Sequence, residues 1–482
     1  MKKGDRLGNI TIDTMAAEGK CVAKVNGQVL FIQGGAPGDV VEVELTKIKS
    51  NFLEGRVTGI QKLSQQRAEP FCEHFGLCGG CSWQHINYET QLKYKQQQVV
   101  DNLERLGGLT LPAISPIIGS AKTSCYRNKL DFTFTAGRWL TYDELELKKN
   151  EGIEPLASGR FPDEPGLGFH IPRMYDRVFD VHNCYLQPEP SNSIRLLARK
   201  TAIENNIPFF DLRKQIGFLR TLTIRTTGTG ETMIILQVTY DEPKWITLML
   251  QRLADAFPQI TSANYIINGK RNDTFADLDV ICWKGNPYIT EQMPKPDGSG
   301  YLYYRVGPKS FYQTNSQQAY ELYKIAWQMA DLKGTELVYD LYTGTGTIAN
   351  FVAGYARKVV GLEYVEAAIA DAKVNSEINQ IHNTDFYAGD MKDLLTESFL
   401  AQHGQPDVII TDPPRAGMHE DVTRMLIRAA PKRIVYVSCN AATQARDLKI
   451  LAEHYEITAV QPVDMFPQTM HVENVVRLDR IK

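Results

Sequence analysis

The last third of the chain alternates between two hydrophobic periods. From about residue 306, short apolar runs at 337–342 (LVYDLY), 358–363 (KVVGLE), 385–390 (DFYAGD), 407–412 (DVIITD), 433–438 (RIVYVS), 456–463 (EITAVQPV) and 474–480 (NVVRLDR) are separated by stretches of helical period. Near-continuous apolar strands interleaved with helices predict a doubly wound parallel sheet buried on both faces, so residues 306–482 are expected to form one α/β domain. Residues 1–62 follow a different rule: short alternating runs broken by Gly turns (GKCVAKVNGQVLFIQGGAPGDVVEVELTKIKSNFLEGRVTGI) suit five or so strands of a small OB-like β-barrel. Between them, residues 63–305 contain mainly strand-like segments (KLDFTFTA, LTIRTTG, TMIILQVTY, ANYIING) with helices predicted near 191–205 and 243–256, an antiparallel α+β domain. Residues 86–107 have helical spacing and a Gly-Gly stop, and a helical segment at about 88–122 is expected to pack on the C-terminal domain. Residues 141–165, with seven acidic and three basic side chains, read as a mobile surface insertion.

Composition narrows the class. The 482 residues include 53 Lys and Arg against 56 Asp and Glu, a net charge of −3, so no global field points to a nucleic-acid partner. The opening MKKGDRLGNITID lacks an apolar signal core, and no run approaches the roughly 18 apolar residues of a membrane span. A cytoplasmic protein with no membrane and no obligate protein partner is expected. Of eight cysteines, three fall within ten residues (Cys72, Cys78, Cys81), which reads as a metal site, not a disulfide framework.

Several motifs carry candidate chemistry. YDLYTGTGT (339–347) ends a strand and opens a helix, placing Gly344 and Gly346 where backbone N–H groups approach a ligand. Glu363, nineteen residues after Gly344 at the next strand's end, is placed to accept ribose hydroxyls; NAD(P) and S-adenosylmethionine fit this loop equally. The fourth strand ends in Asp412, followed by PPRAG, and carboxylate-Pro-Pro at that edge resembles the methyltransferase superfamily. Arg415 stands where amino-methylating enzymes carry a stacking aromatic, which argues against an exocyclic amine target. The fifth strand ends in Cys439 ahead of a helix whose N-terminal dipole is expected to lower the thiol pKa. A thiolate beside a methyl donor suits conjugate addition to C6 of a pyrimidine, activating C5; the route then needs a general base, for which Glu473 and His471 are candidates. Cys72, Cys78 and Cys81, with Cys184 as best fourth ligand and Cys125 as runner-up, suit Zn(II) or an iron–sulfur cluster. Phe75, Trp83, His85 and Tyr88 with Arg127 and Lys129 suggest a stacking-plus-phosphate surface for single-stranded RNA.

With CEHFGLCGGCSWQH, YRNK (126–129), FYQTN (311–315), DLYTGTGT, DPPRAG, SCN and HVEN in this order, the chain resembles the RNA (uracil-5)-methyltransferases. It looks most like the 23S ribosomal RNA branch, whose members combine a TRAM barrel, a central RNA-binding domain with a [4Fe–4S] cluster and a Rossmann-like S-adenosylmethionine-dependent domain; the tRNA T-loop branch lacks barrel and cluster. The resemblance implies Cys439 as nucleophile and Glu473 as base. It implies Cys72, Cys78, Cys81 and Cys184 as cluster ligands, and Gln313, Tyr342, Gly344, Thr347, Glu363, Asp390 and Asp412 as contacts to S-adenosylmethionine. Thr343 stands where many members have Cys, and Thr347 where some have Asn. The expected activity is methylation of a flipped uridine of 23S ribosomal RNA to 5-methyluridine. Methylation of the tRNA T-loop and non-catalytic RNA docking are the alternatives.

Overall fold

The computed structural model describes residues 1–16, 19–156 and 161–481. The C-terminal sheet has seven strands: Leu337–Leu341, Lys358–Glu363, Thr384–Ala388, Val408–Thr411, Arg433–Ser438, Tyr455–Val463 and Glu473–Arg480. Numbered along the chain, they lie in the order 3-2-1-4-5-7-6. The first five pair in parallel and the last joins antiparallel to the fifth and sixth. All five residues of the first strand are buried, as are all four of the fourth, because helices cover both faces. The order reverses between the first and fourth strands, and the crevice at their carboxyl ends is where such sheets bind ligands.

The N-terminal barrel has six strands in one sheet, from Arg6–Thr11 to Phe52–Lys62. The central sheet has seven strands and is antiparallel except for one pair, Thr232–Val238 with Ile260–Ile267, which runs parallel because the helix Pro243–Ala256 crosses between them. The hairpin Ile289–Pro294 and Tyr301–Val306 packs Met293, Leu302, Tyr304 and Val306 into the same core as Val338 and Val435. Met233, Ile235 and Ile266 of the central sheet share that core, so the hairpin joins the two sheets just ahead of the C-terminal domain.

The structure corrects one expectation, the helix as far as residue 122, and adds detail to the surface insertion. The helix Tyr88–Asp101 continues as one π-turn, Asn102–Leu106, and ends there. Residues 107–122 are not helical: Ser115 and Ile118 donate backbone N–H groups to the carbonyls of Val460 (3.1 Å) and Pro462 (3.0 Å), extending the sheet past its sixth strand. Within 141–165, Tyr142–Asn150 is a helix closed by a Thr141–Glu144 capping box, and Arg138 ties it down through Glu144 (2.7 Å) and Glu164 (2.9 Å). Residues 157–160 of that insertion lie outside the described residues. Among the described residues no helix is long and apolar enough to cross a membrane.

Candidate active site and cysteine pocket

The turn after the first strand carries strain. Tyr342 adopts φ +63, a left-handed conformation uncommon for a residue with a side chain, and Gly344 and Gly346 follow at φ +54 and +75. A Cβ on Gly346 would lie 2.9 Å from that of Ala372, so only glycine lets the turn pack on its neighbour. Glu363 closes the turn, accepting the Gly344 N–H at 3.1 Å through one carboxylate oxygen and the Val365 N–H at 2.9 Å through the other. Asp340, buried in the first strand, accepts the Ala349 N–H (3.0 Å) and the Thr343 hydroxyl, and burial pushes its carboxyl up to about 7. Thr343 thus holds the turn by a hydroxyl bond.

The other expected cofactor contacts gather around this turn unequally. Phe311, in the FYQTN loop, accepts the Thr345 hydroxyl at 3.5 Å, which sets that loop and the buried Gln313 beside the glycine turn. Asp390 caps the helix Met391–Leu394 after the third strand, and Asp412 follows the fourth. The Thr347 hydroxyl is buried and paired with that of Thr345 at 3.3 Å, inside the helix start.

Cys439 and Glu473 meet because of strand register. Ser438 pairs with Asn474 on adjacent antiparallel strands, so the next pair outward is Cys439 and Glu473. Gln444, on the helix Ala441–Leu451 that follows Cys439, accepts the Asn474 side-chain N–H at 2.8 Å and donates to the Tyr436 carbonyl at 3.0 Å, locking the two strand ends together. The Asp412-Pro-Pro-Arg loop closes the third side: the Arg415 carbonyl accepts the Asn440 amide (3.1 Å) and the Thr443 hydroxyl (3.2 Å).

The electrostatics differ from the sequence expectation at Cys439. Burial, then the carboxylates of Glu473 and Asp412, push its thiol up to about 11; Arg415 works the other way. The thiol is raised and not lowered, with burial and the two acidic neighbours setting the direction. Glu473 is 4% exposed, and burial with the charge of Asp412 raises its carboxyl to about 8, again opposed by Arg415. Burial lifts Asp412 to about 7. Arg415 is the cation of this acidic cluster, a role sequence reasoning missed although it is the one charged side chain between Pro414 and Met418. His471 is pushed down to about 4 by burial and by Arg415, Lys95 and Arg127.

Cys72, Cys78, Cys81 and Cys184 line one mostly apolar pocket with Phe169 and Leu186. Burial and the neighbouring sulfurs raise Cys78 to about 12. Cys125, the runner-up, is exposed and not among the lining residues. His74 bridges this pocket to the chain beyond it, its Nε2 accepting the His182 backbone N–H at 3.2 Å while its Nδ1 lies 3.8 Å from the Cys72 sulfur. The stacking surface expected from nearby aromatics is not formed by all of them. Trp83 is buried in the barrel core, His85 binds the Gly35 carbonyl at 2.8 Å and Tyr88 donates to Asp464 at 2.8 Å. These rings join domains. Arg127 and Lys129 instead line an open pocket of about 410 Å³ with Cys81, Phe169 and His471, between the cysteine pocket and the loop before Glu473.

Fold and site together define a class: a methyltransferase-type α/β sheet that sets a cysteine against a buried carboxylate at its carboxyl edge, preceded by a TRAM domain matching residues 8–58. The tRNA (Uracil-5-)-methyltransferase family matches residues 279–481. The chain is 55% identical to an uncharacterized RNA methyltransferase of Bacteroides thetaiotaomicron over 96% of this chain and 100% of that one. It is 52% identical to an uncharacterized RNA methyltransferase of Porphyromonas gingivalis over 97% and 99% of the two chains. The crystal structure of a Pyrococcus abyssi tRNA (uracil-54, C5)-methyltransferase in complex with S-adenosyl-L-homocysteine superposes with a TM-score of 0.72 at 26% identity, covering 98% of this chain and 100% of that one. The chain belongs to the RNA uracil-5-methyltransferase family.

Proposed function

We propose that the protein methylates C5 of a uridine in 23S ribosomal RNA, with Cys439 as nucleophile and Glu473 as general base. The observation that carries the chemistry is the register that sets Cys439 beside Glu473, while the choice of 23S RNA rests on the resemblance of the cysteine-bearing segment and barrel to that branch. S-adenosylmethionine supplies an electrophilic methyl group, and the Pyrococcus abyssi enzyme's S-adenosyl-L-homocysteine complex supports that donor class here. Gln313, Tyr342, Gly344, Glu363, Asp390 and Asp412 are the residues proposed to hold it; Thr347 contributes through the turn's packing.

The Cys439 sulfur forms a bond to C6, which places carbanion character on C5. C5 takes the methyl group as the donor's sulfonium S–CH3 bond breaks and S-adenosyl-L-homocysteine leaves, and the Glu473 carboxylate removes the C5 proton. The electron pair re-forms the C5–C6 double bond, the C6–S bond breaks and the thiolate leaves. Because Cys439 rests as a thiol, its proton passes to solvent water as the sulfur adds to C6, and Arg415 favours both anions. The flipped uridine costs a few kcal/mol to extract. Arg127 and Lys129, in their open pocket, are placed to hold flanking phosphates.

Cys72, Cys78, Cys81 and Cys184 would hold a [4Fe–4S] cluster, which would act structurally, since methylation moves no net electrons. The four thiols line one pocket walled by Phe169 and Leu186, a donor set that suits such a cluster.

The match to a tRNA enzyme runs the full length of both chains, so the barrel alone does not separate ribosomal from transfer RNA. Methylation of the tRNA T-loop is therefore the second reading. Nucleoside mass spectrometry of unmodified 23S and tRNA transcripts, incubated with anaerobically purified protein and labelled S-adenosylmethionine, decides between them. Label in 5-methyluridine from 23S RNA alone is expected. Label from tRNA alone overturns the substrate, and appreciable turnover by Cys439→Ala overturns the mechanism.

A further inference from the structure

Residues 464–472 close the hairpin whose returning strand begins at Glu473, paired with Val463. The position of the base therefore depends on how this loop is held. Gln468, 6% exposed, adopts φ +66 within it, and a non-glycine residue keeps that conformation only when its surroundings impose it. Its backbone N–H donates to Gln91 Oε1 at 3.0 Å, and its side-chain Oε1 accepts from Gln91 Nε2 at 3.0 Å. Its carbonyl accepts two backbone N–H groups, from Ser82 (2.9 Å) and Trp83 (3.0 Å), immediately after Cys81. Gln91 is 1% exposed, and its amide also donates to the carbonyls of Trp83 (3.1 Å) and Ile86 (2.9 Å). One buried amide on the helix Tyr88–Asp101 thus joins the cysteine-bearing segment to the loop before Glu473.

We infer that Gln91 is a positioning residue for Glu473, holding the hairpin loop through Gln468 and making the geometry of the base depend on the fold of the cysteine segment. Gln91 does not face the reacting atoms; it acts by fixing a strained backbone. The inference rests on the reading of Glu473 as the base, so its test separates addition from elimination. Addition to C6 needs Cys439 but not proton removal from C5, and RNA carrying 5-fluorouridine stops at the covalent adduct because fluorine replaces that proton. Release of methylated RNA needs the base.

In full-length Gln91→Leu, adduct formation with 5-fluorouridine RNA is expected within about twofold of the native rate, while 5-methyluridine release falls about 10- to 100-fold. With ordinary uridine RNA the methylated protein–RNA adduct should then accumulate. Unchanged release overturns the inference, and so does an equal fall in adduct and release, which marks a merely structural side chain. If Gln91→Leu does not fold, Gln468→Gly serves: it suits the positive φ, keeps all three backbone bonds and loses the side-chain half of the clamp. Release should fall about threefold or more with adduct formation retained, and unchanged release or a joint loss again overturns the inference. Absence of adduct in the native protein would instead remove the reading of Cys439 and Glu473 itself.

Discussion

In the proposed mechanism, Glu473 and Cys439 are both held in the proton-bound form that turnover must leave. Burial raises the carboxyl to about 8, so the fraction able to accept the C5 proton grows as pH rises through that value, and release of 5-methyluridine should climb between pH 7 and 9. The same shift has a stability consequence of definite sign. Above about 4.5 the unfolded chain loses this proton while the folded one keeps it to about 8, so over that window the unfolded state binds fewer protons and stability falls as pH rises. Glu473→Gln removes that cost. At pH 8 it should abolish release yet raise Tm by about 3 °C or more, measured by thermal unfolding, and a lower Tm would contradict the assigned burial. Arg415 opposes both raised values. Arg415→Gln should therefore move the acid limb of the pH profile for release to higher pH, and a profile that stays in place while the rate falls would assign Arg415 to substrate contact alone.

At the level of elements, the loop before Glu473 is held by a buried ion pair. Lys95 and Asp464 are both fully buried and 2.6 Å apart; Lys95 also donates to the Phe466 carbonyl at 3.0 Å. Removing one partner strands the other charge, so Lys95→Met should destabilise the protein by about 3–5 kcal/mol in chemical denaturation, with part of the loss recovered in Lys95→Met/Asp464→Leu. A destabilisation below about 1 kcal/mol would mean that water reaches the pair. The contrast with what the sequence shows is physical. The seven strands were legible because each is an apolar run ending at a polar residue, and Glu363, Asp412 and Cys439 were legible because they stand at those ends. Lys95 was not, since its partner lies 369 residues away and no local pattern marks a buried cation. The extended course of 107–122 had a readable signal in Pro112 and Pro116, which bar a helix interior, but its pairing with the sheet edge did not. The raised thiol pKa of Cys439 is hidden from the local sequence for a related reason: Glu473 and Asp412 reach it from other strands.

Across the whole molecule, the barrel, the cysteine segment and the central sheet converge on the loop before Glu473. Met470 packs against the barrel core, Tyr126 donates to the Pro467 carbonyl at 2.9 Å, and Asn315 donates to the Met465 carbonyl at 3.0 Å. Trp83, Ile86 and Tyr94, which lie outside residues 1–62, are themselves buried among the barrel's Leu30, Val41 and Val43. The barrel is thus sealed by the segment that leads to the catalytic domain, and stripping it away would expose large apolar side chains to water at about 25 cal/mol per Å². Loss of the barrel's fold and of the site's geometry should then be one event. Trp83 reports the barrel, because it sits in that core at 2% exposure, and the difference in fluorescence between the native protein and Trp83→Phe isolates its signal. In urea, that signal and the loss of adduct formation with 5-fluorouridine RNA should share one midpoint. A barrel that unfolds at lower urea while Cys439 still forms adduct would show instead that it is an appendage with its own stability, and that the geometry of the site is set by the α/β domain alone.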